Sequence, residues 1–282
     1  MKKTLYTCLI SVFAAIQSAN IQAITTCNDF GHFDLYINVD PPASDGGSLL
    51  IDSIEQFSVE ASTGRTIVSA NFGDFPGGPH KTDDPGWVVG AGDLLGGEFL
   101  WFRALGSLRF WDKEQQLWLD NPPNEERVRY FGAIPPEVVI NGTAEENAYY
   151  AEGTIWSAEG LEGPLEAPIE QAADVAIGDA IHAHLDFCVE DSAGDCTIPQ
   201  LGFTGSPAIG AYLIEIQIFS NAATENGLQQ KYFDSPPVKI LLNNGLVADE
   251  CSAAIGALVI PNTVVDDSEA LPAAGVLIMT GP

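Results

Sequence analysis

Glycine and proline divide this chain into short segments that suit strands better than long helices. The 282 residues include 28 glycines and 18 prolines. The stretches between them are rich in β-branched and aromatic residues and are bounded by Gly, Pro, Asn or Asp. The clearest stretches are 33–39, 66–72, 98–102, 107–111, 128–131, 138–141, 153–157, 211–219 and 238–242. The long repeating helices of a TIM barrel or a Rossmann fold are missing. The pattern therefore predicts an all-β chain, an antiparallel β-sandwich or jelly-roll-like single domain.

The longest apolar stretch has the two-residue period of a strand. In residues 211–219, Tyr212, Ile214, Ile216 and Ile218 fall on one face, and the residues between them fall on the other. The one helix that the sequence predicts is short and covers residues 168–177.

The two ends of the chain differ from its centre. Lys2 and Lys3, the apolar run 5–16 and the small residue Ala23 indicate that residues 1–23 are a signal peptide. Residues 24–258 then form the β-sandwich domain. The tail 259–282 ends in an apolar stretch that is too short to span a membrane, and its residues by themselves favour a buried edge strand. We expect export to the periplasm, the extracellular space or the cell surface.

The charge of the chain excludes two classes of partner. Removal of residues 1–23 takes two of the eleven basic residues and none of the 39 acidic ones, which leaves nine against 39, a formal charge of −30. Such a chain repels nucleic acid and anionic membrane surfaces. It stays soluble and attracts cations.

Four cysteines remain after residue 23, an even number that indicates disulfides in an exported protein. Cys188 and Cys196 bracket a polar turn, which predicts a local bridge between them. Cys27 and Cys251 would then join the two ends of the domain. No Cys-x-x-Cys spacing is present, so thiolate ligation of a metal is the less favoured interpretation.

Two histidine-containing segments carry the strongest chemical signal. They read Gly31-His32-Phe33-Asp34 and His182-Ala183-His184-Leu185-Asp186-Phe187. Side chains two residues apart in a strand share a face, so each segment predicts a row of metal ligands. We predict zinc, or alternatively copper, because imidazole nitrogen and carboxylate oxygen suit both metals. The predicted metal residues are His32, His182 and His184 as ligands, with Asp34 and Asp186 as ligands or as groups that orient the imidazoles. In the alternative interpretation, these histidines lie on a solvated strand face and bind no metal.

Other motifs give weaker indications. Residues 83–86 read Asp-Asp-Pro-Gly, which favours a plain turn. Calcium binding is the alternative there, although the spaced ligands of an EF-hand loop are missing. No Gly-x-Ser-x-Gly motif is present, and His80 stands alone in its loop. The five tryptophans could stack on sugars, although such residues more often belong to a core.

The order of these motifs resembles a family of exported bacterial proteins with PEP-type C-terminal sorting signals. The motifs are Gly-His-x-Asp at 31–34, Thr-Asp-Asp-Pro-Gly-Trp at 82–87, Gly-Ser-Leu-x-x-Trp at 106–111, His-x-His-x-Asp-Phe at 182–187 and Gly-x-Tyr-Leu at 210–213. They are similar, more distantly, to surface-anchored domains of actinobacteria. Some members of the first family are described as repressed by a zinc-responsive regulator. The resemblance therefore implies a role linked to zinc. Leu-Pro-Ala-Ala-Gly-Val-Leu at 271–277 also resembles the start of such a sorting signal, which implies that the tail 259–282 is a truncated sorting or anchor segment.

We therefore predict an exported, metal-binding β-sandwich protein that is not an enzyme and that acts in metal handling or at the cell surface. One alternative is a surface adhesion or carbohydrate-binding module. The other is a metal-dependent hydrolase with an open metal site.

Overall fold

The computed structural model describes residues 27, 33–51, 58–59, 65–73, 78–132, 153–191 and 206–259. The predictions for the signal segment 1–23, the strand 138–141 and the tail beyond residue 259 lie outside these residues, as do those for His32 and Cys196.

The described residues form strands and one helix. The strands are β1 (Asp34–Asp40), β2 (Gly47–Ile51), β3 (Ser58–Val59), β4 (Thr66–Asn71), β5 (Lys81–Thr82), β6 (Gly86–Gly90), β7 (Phe99–Asp112), β8 (Leu117–Leu119), β9 (Arg127–Phe131), β10 (Thr154–Ser157), β11 (Gly160–Glu162), β12 (Glu166–Gln171), β13 (Asp179–Ala183), β14 (Asp186–Glu190), β15 (Gly210–Ser220), β16 (Tyr232–Phe233) and β17 (Val238–Asn244). The helix, α1, covers Ala248–Val259.

These strands form three sheets. The first sheet has the order β13-β6-β1-β2-β16, and the second has the order β11-β10-β9-β14-β5. The third has the order β12-β7-β15-β17-β4-β3, with β8 paired to β7. The all-β sandwich prediction is confirmed. The second sheet is antiparallel throughout. The first and third sheets are mixed, because β1 runs parallel to β6, β16 to β2, and β17 to β4.

One main core lies between the inner faces of the three sheets. Leu35, Ile37 and Trp87 come from the first sheet, and all three are fully buried. The predicted face of β15 joins the same core through Tyr212, Ile214, Ile216 and Ile218. Burial of aliphatic and aromatic side chains on this scale is the main force that holds the sheets together.

The predicted strands at 98–102 and 107–111 are two parts of the single strand β7. The register between β7 and β15 shifts between Leu213 and Glu215. Gly106 has a φ of +67° at this position, a value that glycine adopts without a steric penalty. The glycine therefore marks a bulge within a strand, not a turn between two strands.

The helix prediction at 168–177 is wrong. Residues 166–171 pair with the edge of β7 as strand β12, and Ala167 and Ile169 are buried in the core. The real helix, α1, lies at 248–259. Its buried residues are Cys251, Ala254, Ile255 and Leu258, which have the spacing of one helical face.

Helix α1 covers the outer face of the third sheet. It packs on Ala211, Leu213 and Leu241 in a second, smaller core. Cys251 of this helix is joined to Cys27 by the predicted disulfide, with a Cα–Cα distance of 5.7 Å. The predicted Cys188–Cys196 bridge depends on Cys196, which is outside the described residues. Within the described ranges, no helix has the length and apolar character needed to cross a membrane.

Candidate metal centre

Three neighbouring strands of the first sheet place Asp34, His182 and His184 close together. Strand β6 runs antiparallel to β13, with Ala183 opposite Trp87, and parallel to β1, with Asp34 opposite Gly86. His184 directly follows β13 and therefore continues this register to the level of Gly86. The cluster lies at the amino-terminal ends of β1 and β6.

Gly86 leaves the space that the two outer side chains need. A Cβ atom at this position would overlap the imidazole of His184 and the carboxylate of Asp34. The His184 ring therefore reaches across β6 above a residue that has no side chain. Any other amino acid at position 86 would push the two groups apart.

The ligand atoms of the three residues converge. His184 Nε2 lies 3.0 Å from Asp34 Oδ1, and His182 Nε2 lies 3.5 Å from Asp34 Oδ2. The two imidazole rings are tilted, with centroids 5.4 Å apart. One ligand atom from each residue lies within 4.8 Å of the other two. The side chains of Asp34 and His184 are 18 % exposed and that of His182 is 49 % exposed, so the cluster opens to solvent on the His182 side.

A backbone contact orients the His184 ring. Its Nδ1 lies 2.9 Å from the carbonyl oxygen of Asp83. A carbonyl oxygen only accepts hydrogen bonds, so Nδ1 carries the hydrogen and donates it. In the neutral imidazole, the lone pair then lies on Nε2, which faces Asp34.

The carboxylate of Asp34 has the character of a metal ligand. Its Oδ1 atom is buried and receives no hydrogen bond from any described residue. A neutral His184 places the Nε2 lone pair 3.0 Å from this oxygen, an arrangement that is repulsive unless a proton or a cation lies between the two atoms. The pair can therefore hold either a proton or a metal ion.

The loop before β6 fixes the position of Asp83 and adds a second carboxylate. Asp84 is buried, its Oδ1 accepts the backbone N–H of Phe33 at 3.0 Å, and its own N–H donates to Thr82 Oγ1 at 3.2 Å. Asp83, Asp84 and His184 form a second group of mutually close ligand atoms. On their own, residues 83–86 favour a turn over a metal site. Their position between two predicted histidine segments was the signal that could have linked them to the site.

Glu170 supports the backbone of His182. Its Oε2 accepts the His182 N–H at 3.3 Å, from strand β12 of the third sheet. Burial raises the pKa of Glu170, while the hydrogen bond and the nearby His182 imidazole lower it. Sequence reasoning missed this residue because it is brought to the site by the packing of two sheets.

Asp186 is separated from the histidines by a break between sheets. Strand β13 of the first sheet ends at Ala183, and Asp186 begins β14 of the second sheet. The residues 182–187 therefore do not form the single strand on which the prediction for Asp186 depended. Among the described residues, Asp186 belongs to neither group of close ligand atoms. Burial raises its pKa, Asp83 raises it further, and Lys81 and His184 lower it.

The tryptophans and the cavity bear on the alternative functions. Trp87, Trp111 and Trp156 are buried, so these three belong to the core rather than to a sugar-binding surface. A cavity in the described part of the chain is lined by Phe102, Tyr130 and Ala167 among others, and by none of the candidate ligands.

Comparisons of the chain with protein-family models, with curated proteins and with solved structures found no match.

Proposed function

We propose that this protein binds one zinc ion through His184 Nε2, His182 Nε2 and the carboxylate of Asp34. The observation that carries this proposal is the approach of His184 to Asp34. Among the described residues, no hydrogen-bond donor reaches the buried Oδ1 of Asp34. This oxygen faces His184 Nε2, in a ring whose hydrogen is held on Nδ1 at the opposite side.

The set of donor atoms selects the class of metal. Two imidazole nitrogens and one carboxylate oxygen suit zinc and copper, while calcium and magnesium prefer sites made wholly of oxygen. Copper(II) binds the same kinds of ligand with a higher intrinsic affinity than zinc, so we keep it as the alternative metal. A zinc ion held by these three ligands would keep a place for water or another ligand, and the exposed His182 side chain leaves the cluster open to solvent.

We assign the protein a role in binding or handling metal outside the cytoplasm, without catalysis. The proposed export depends on the signal-peptide character of residues 1–23. The strongly acidic composition supports a role with cations, because it raises their concentration at the surface of the protein. The hydrolase alternative gains no support from the cavity described above, since none of the candidate ligands lines it.

Competition with a chromophoric zinc chelator tests the proposal. Untagged wild-type protein should take up one equivalent of zinc, and His184→Ala and Asp34→Asn should each weaken this uptake by at least tenfold. Millimolar calcium or magnesium should not displace the zinc. Displacement by either ion would indicate adventitious binding to the acidic surface.

The matched control is His80→Ala. His80 lies on the loop before β5 and belongs to neither group of close ligand atoms among the described residues. This variant should bind zinc as the wild type does. An equal loss of zinc affinity in His80→Ala and His184→Ala would overturn the assignment of the site.

A further inference from the structure

Four loops meet at the end of the first sheet that lies opposite the candidate metal centre. They are residues 41–46, 91–98, 172–178 and 221–231, and together with the adjoining strand β16 we call them the loop end. Strands β1 and β6 finish at this end, while β2 and β13 begin there, because Ser48 pairs with Asp40 and Asp179 pairs with Gly90. The topology alone therefore assembles this surface from four distant parts of the chain.

Backbone hydrogen bonds join the four loops to one another. Ala43 N–H donates to the carbonyl of Asp93 at 2.9 Å, and Gly46 N–H donates to that of Lys231 at 2.7 Å. Further bonds run from Ala91 to Gly178 and from Gly97 to Ala172, at 2.9 and 2.8 Å. The loop end is thus a continuous, ordered surface rather than a set of independent loops.

Large apolar side chains project from this surface into water. The three most exposed large hydrophobic residues of the described chain all belong to it: Ile177 at 91 %, Leu228 at 82 % and Phe233 at 65 %. Leu95 adds a fourth, and half of its surface is exposed. Isolated exposed apolar residues are common, but their concentration at one end is the mark of an interaction surface.

The accessible charge of the four loops is negative. The four loops carry the carboxylates of Asp45, Asp93, Glu98, Asp174 and Glu225. Their one basic residue, Lys231, is buried, and its Nζ donates to Glu98 Oε1 at 2.6 Å. The apolar side chains are therefore framed by negative charge without an accessible positive charge from these loops.

We propose that the loop end binds a protein segment whose apolar side chains are flanked by lysine or arginine. Charge complementarity selects this partner. A second copy of the chain carries the same acidic end and a formal charge of −28, so it would be repelled. The C-terminal tail is apolar but carries Asp266, Asp267 and Glu269 and no basic residue after position 259, which makes it a poor occupant. An anionic membrane is excluded by the same charge.

A defined peptide probe tests the proposal. A fluorescent 14-residue amphipathic peptide of leucine and lysine is titrated with the full chain, beside the matching peptide of leucine and glutamate. The leucine–lysine peptide should bind and the leucine–glutamate peptide should not. The double variant Ile177→Ser/Leu228→Ser should weaken binding by about tenfold or more, since both anchors lose their apolar surface.

The control variant is Ile209→Ser/Val247→Ser, which removes two exposed apolar side chains outside the loop end. It should leave peptide binding unchanged. Equal weakening in both double variants, or in neither, would show that the peptide binds the acidic surface at large and would overturn the proposal. Wild-type binding to phosphatidylcholine vesicles that is lost only in Ile177→Ser/Leu228→Ser would replace the protein partner with a lipid surface.

Discussion

His184 Nε2 lies 3.0 Å from Asp34 Oδ1, above a strand position that is occupied by Gly86. The two residues are 150 positions apart in the sequence and meet because β13, β6 and β1 are neighbours in the first sheet.

The first prediction concerns Gly86, the glycine between His184 and Asp34. Gly86→Ala should weaken zinc binding by about 10- to 100-fold, the range found when groups that orient metal ligands are altered. Isothermal titration with zinc measures this change.

Gly90→Ala is the control for this prediction, since it lies in the same strand and on the same face. An added Cβ there approaches one Asp93 carboxylate oxygen at 3.1 Å and meets none of the candidate ligands. An unchanged zinc affinity in Gly86→Ala would show that the ligands do not depend on this clearance.

The second prediction concerns stability, zinc and pH. A metal that binds only the folded state adds RT ln(1 + [L]/Kd) to the free energy of unfolding, about 2.7 kcal/mol at a hundredfold excess over Kd. Imidazole must be neutral to bind a metal, so protons compete below about pH 6. Zinc should therefore raise the melting temperature at pH 7.5, and this gain should largely disappear at pH 5.

His184→Ala should abolish the gain from zinc at pH 7.5. The variant without metal should lose only about 0.5–1.5 kcal/mol, the usual contribution of the hydrogen bond to Asp83. Differential scanning calorimetry of wild type, His184→Ala and His80→Ala separates these effects. An equal zinc-dependent rise in the wild type and His184→Ala would show adventitious binding.

The third prediction concerns Asp186. Burial raises the pKa of this carboxyl, so the folded state holds its proton more tightly than the unfolded state does. Its contribution to stability is therefore complete below the unfolded pKa and is lost as the pH rises through the folded pKa. Asparagine does not titrate, so the variant does not lose this stability. The free energy of unfolding of Asp186→Asn minus that of the wild type should therefore be larger at pH 7 than at pH 3. Urea denaturation at both values measures the two differences.

Asp186→Asn also tests the prediction from the sequence that Asp186 binds the metal or orients the imidazoles. Because the sheet break removes Asp186 from both close ligand groups of the described chain, this variant should keep the zinc affinity of the wild type. A loss comparable to that of Asp34→Asn would return Asp186 to the ligand set.

The fourth prediction concerns the core behind the site. Trp87, which follows Gly86 in β6, donates its Nε1–H to Tyr130 OH at 2.7 Å, and the Tyr130 ring stacks on Phe187 with centroids 4.0 Å apart. Tyr130→Phe keeps the stacking but leaves a buried N–H without its acceptor, which should cost about 1–3 kcal/mol of unfolding free energy. Chemical denaturation checks this value, and a change below about 0.5 kcal/mol would mean that the hydrogen bond is readily replaced.

Much of the fold was predictable because strand periodicity is local. The face of β15 that carries Tyr212 and Ile214 was identified from alternation alone. Helix α1 was missed although Asp249 and Glu250 in its first turn and the spacing of its buried residues were visible. The bulge at Gly106 was interpreted as a strand boundary, since a glycine with positive φ looks the same in both settings.

The site was only partly predictable because it depends on which strands become neighbours. The His-x-His spacing placed His182 and His184 on one face, and the structure brings Asp34 to them. Glu170 and the carbonyl of Asp83 contact these histidines from another strand and a distant loop. A local sequence pattern does not predict such contacts. The prediction for Asp186 depends on an unbroken strand over 182–187. In the structure the chain leaves the first sheet after Ala183 and enters the second sheet at Asp186.

X-ray absorption at the zinc edge tests the central claim most directly. Protein loaded with one equivalent of zinc should show nitrogen and oxygen ligands at about 2.0–2.1 Å, together with the outer-shell scattering of two imidazoles. In His184→Ala, the imidazole signal should fall to one ring or vanish with the metal. A shell of oxygen atoms alone, identical in the wild type and the variant, would place the zinc on surface carboxylates and contradict a site built from Asp34, His182 and His184.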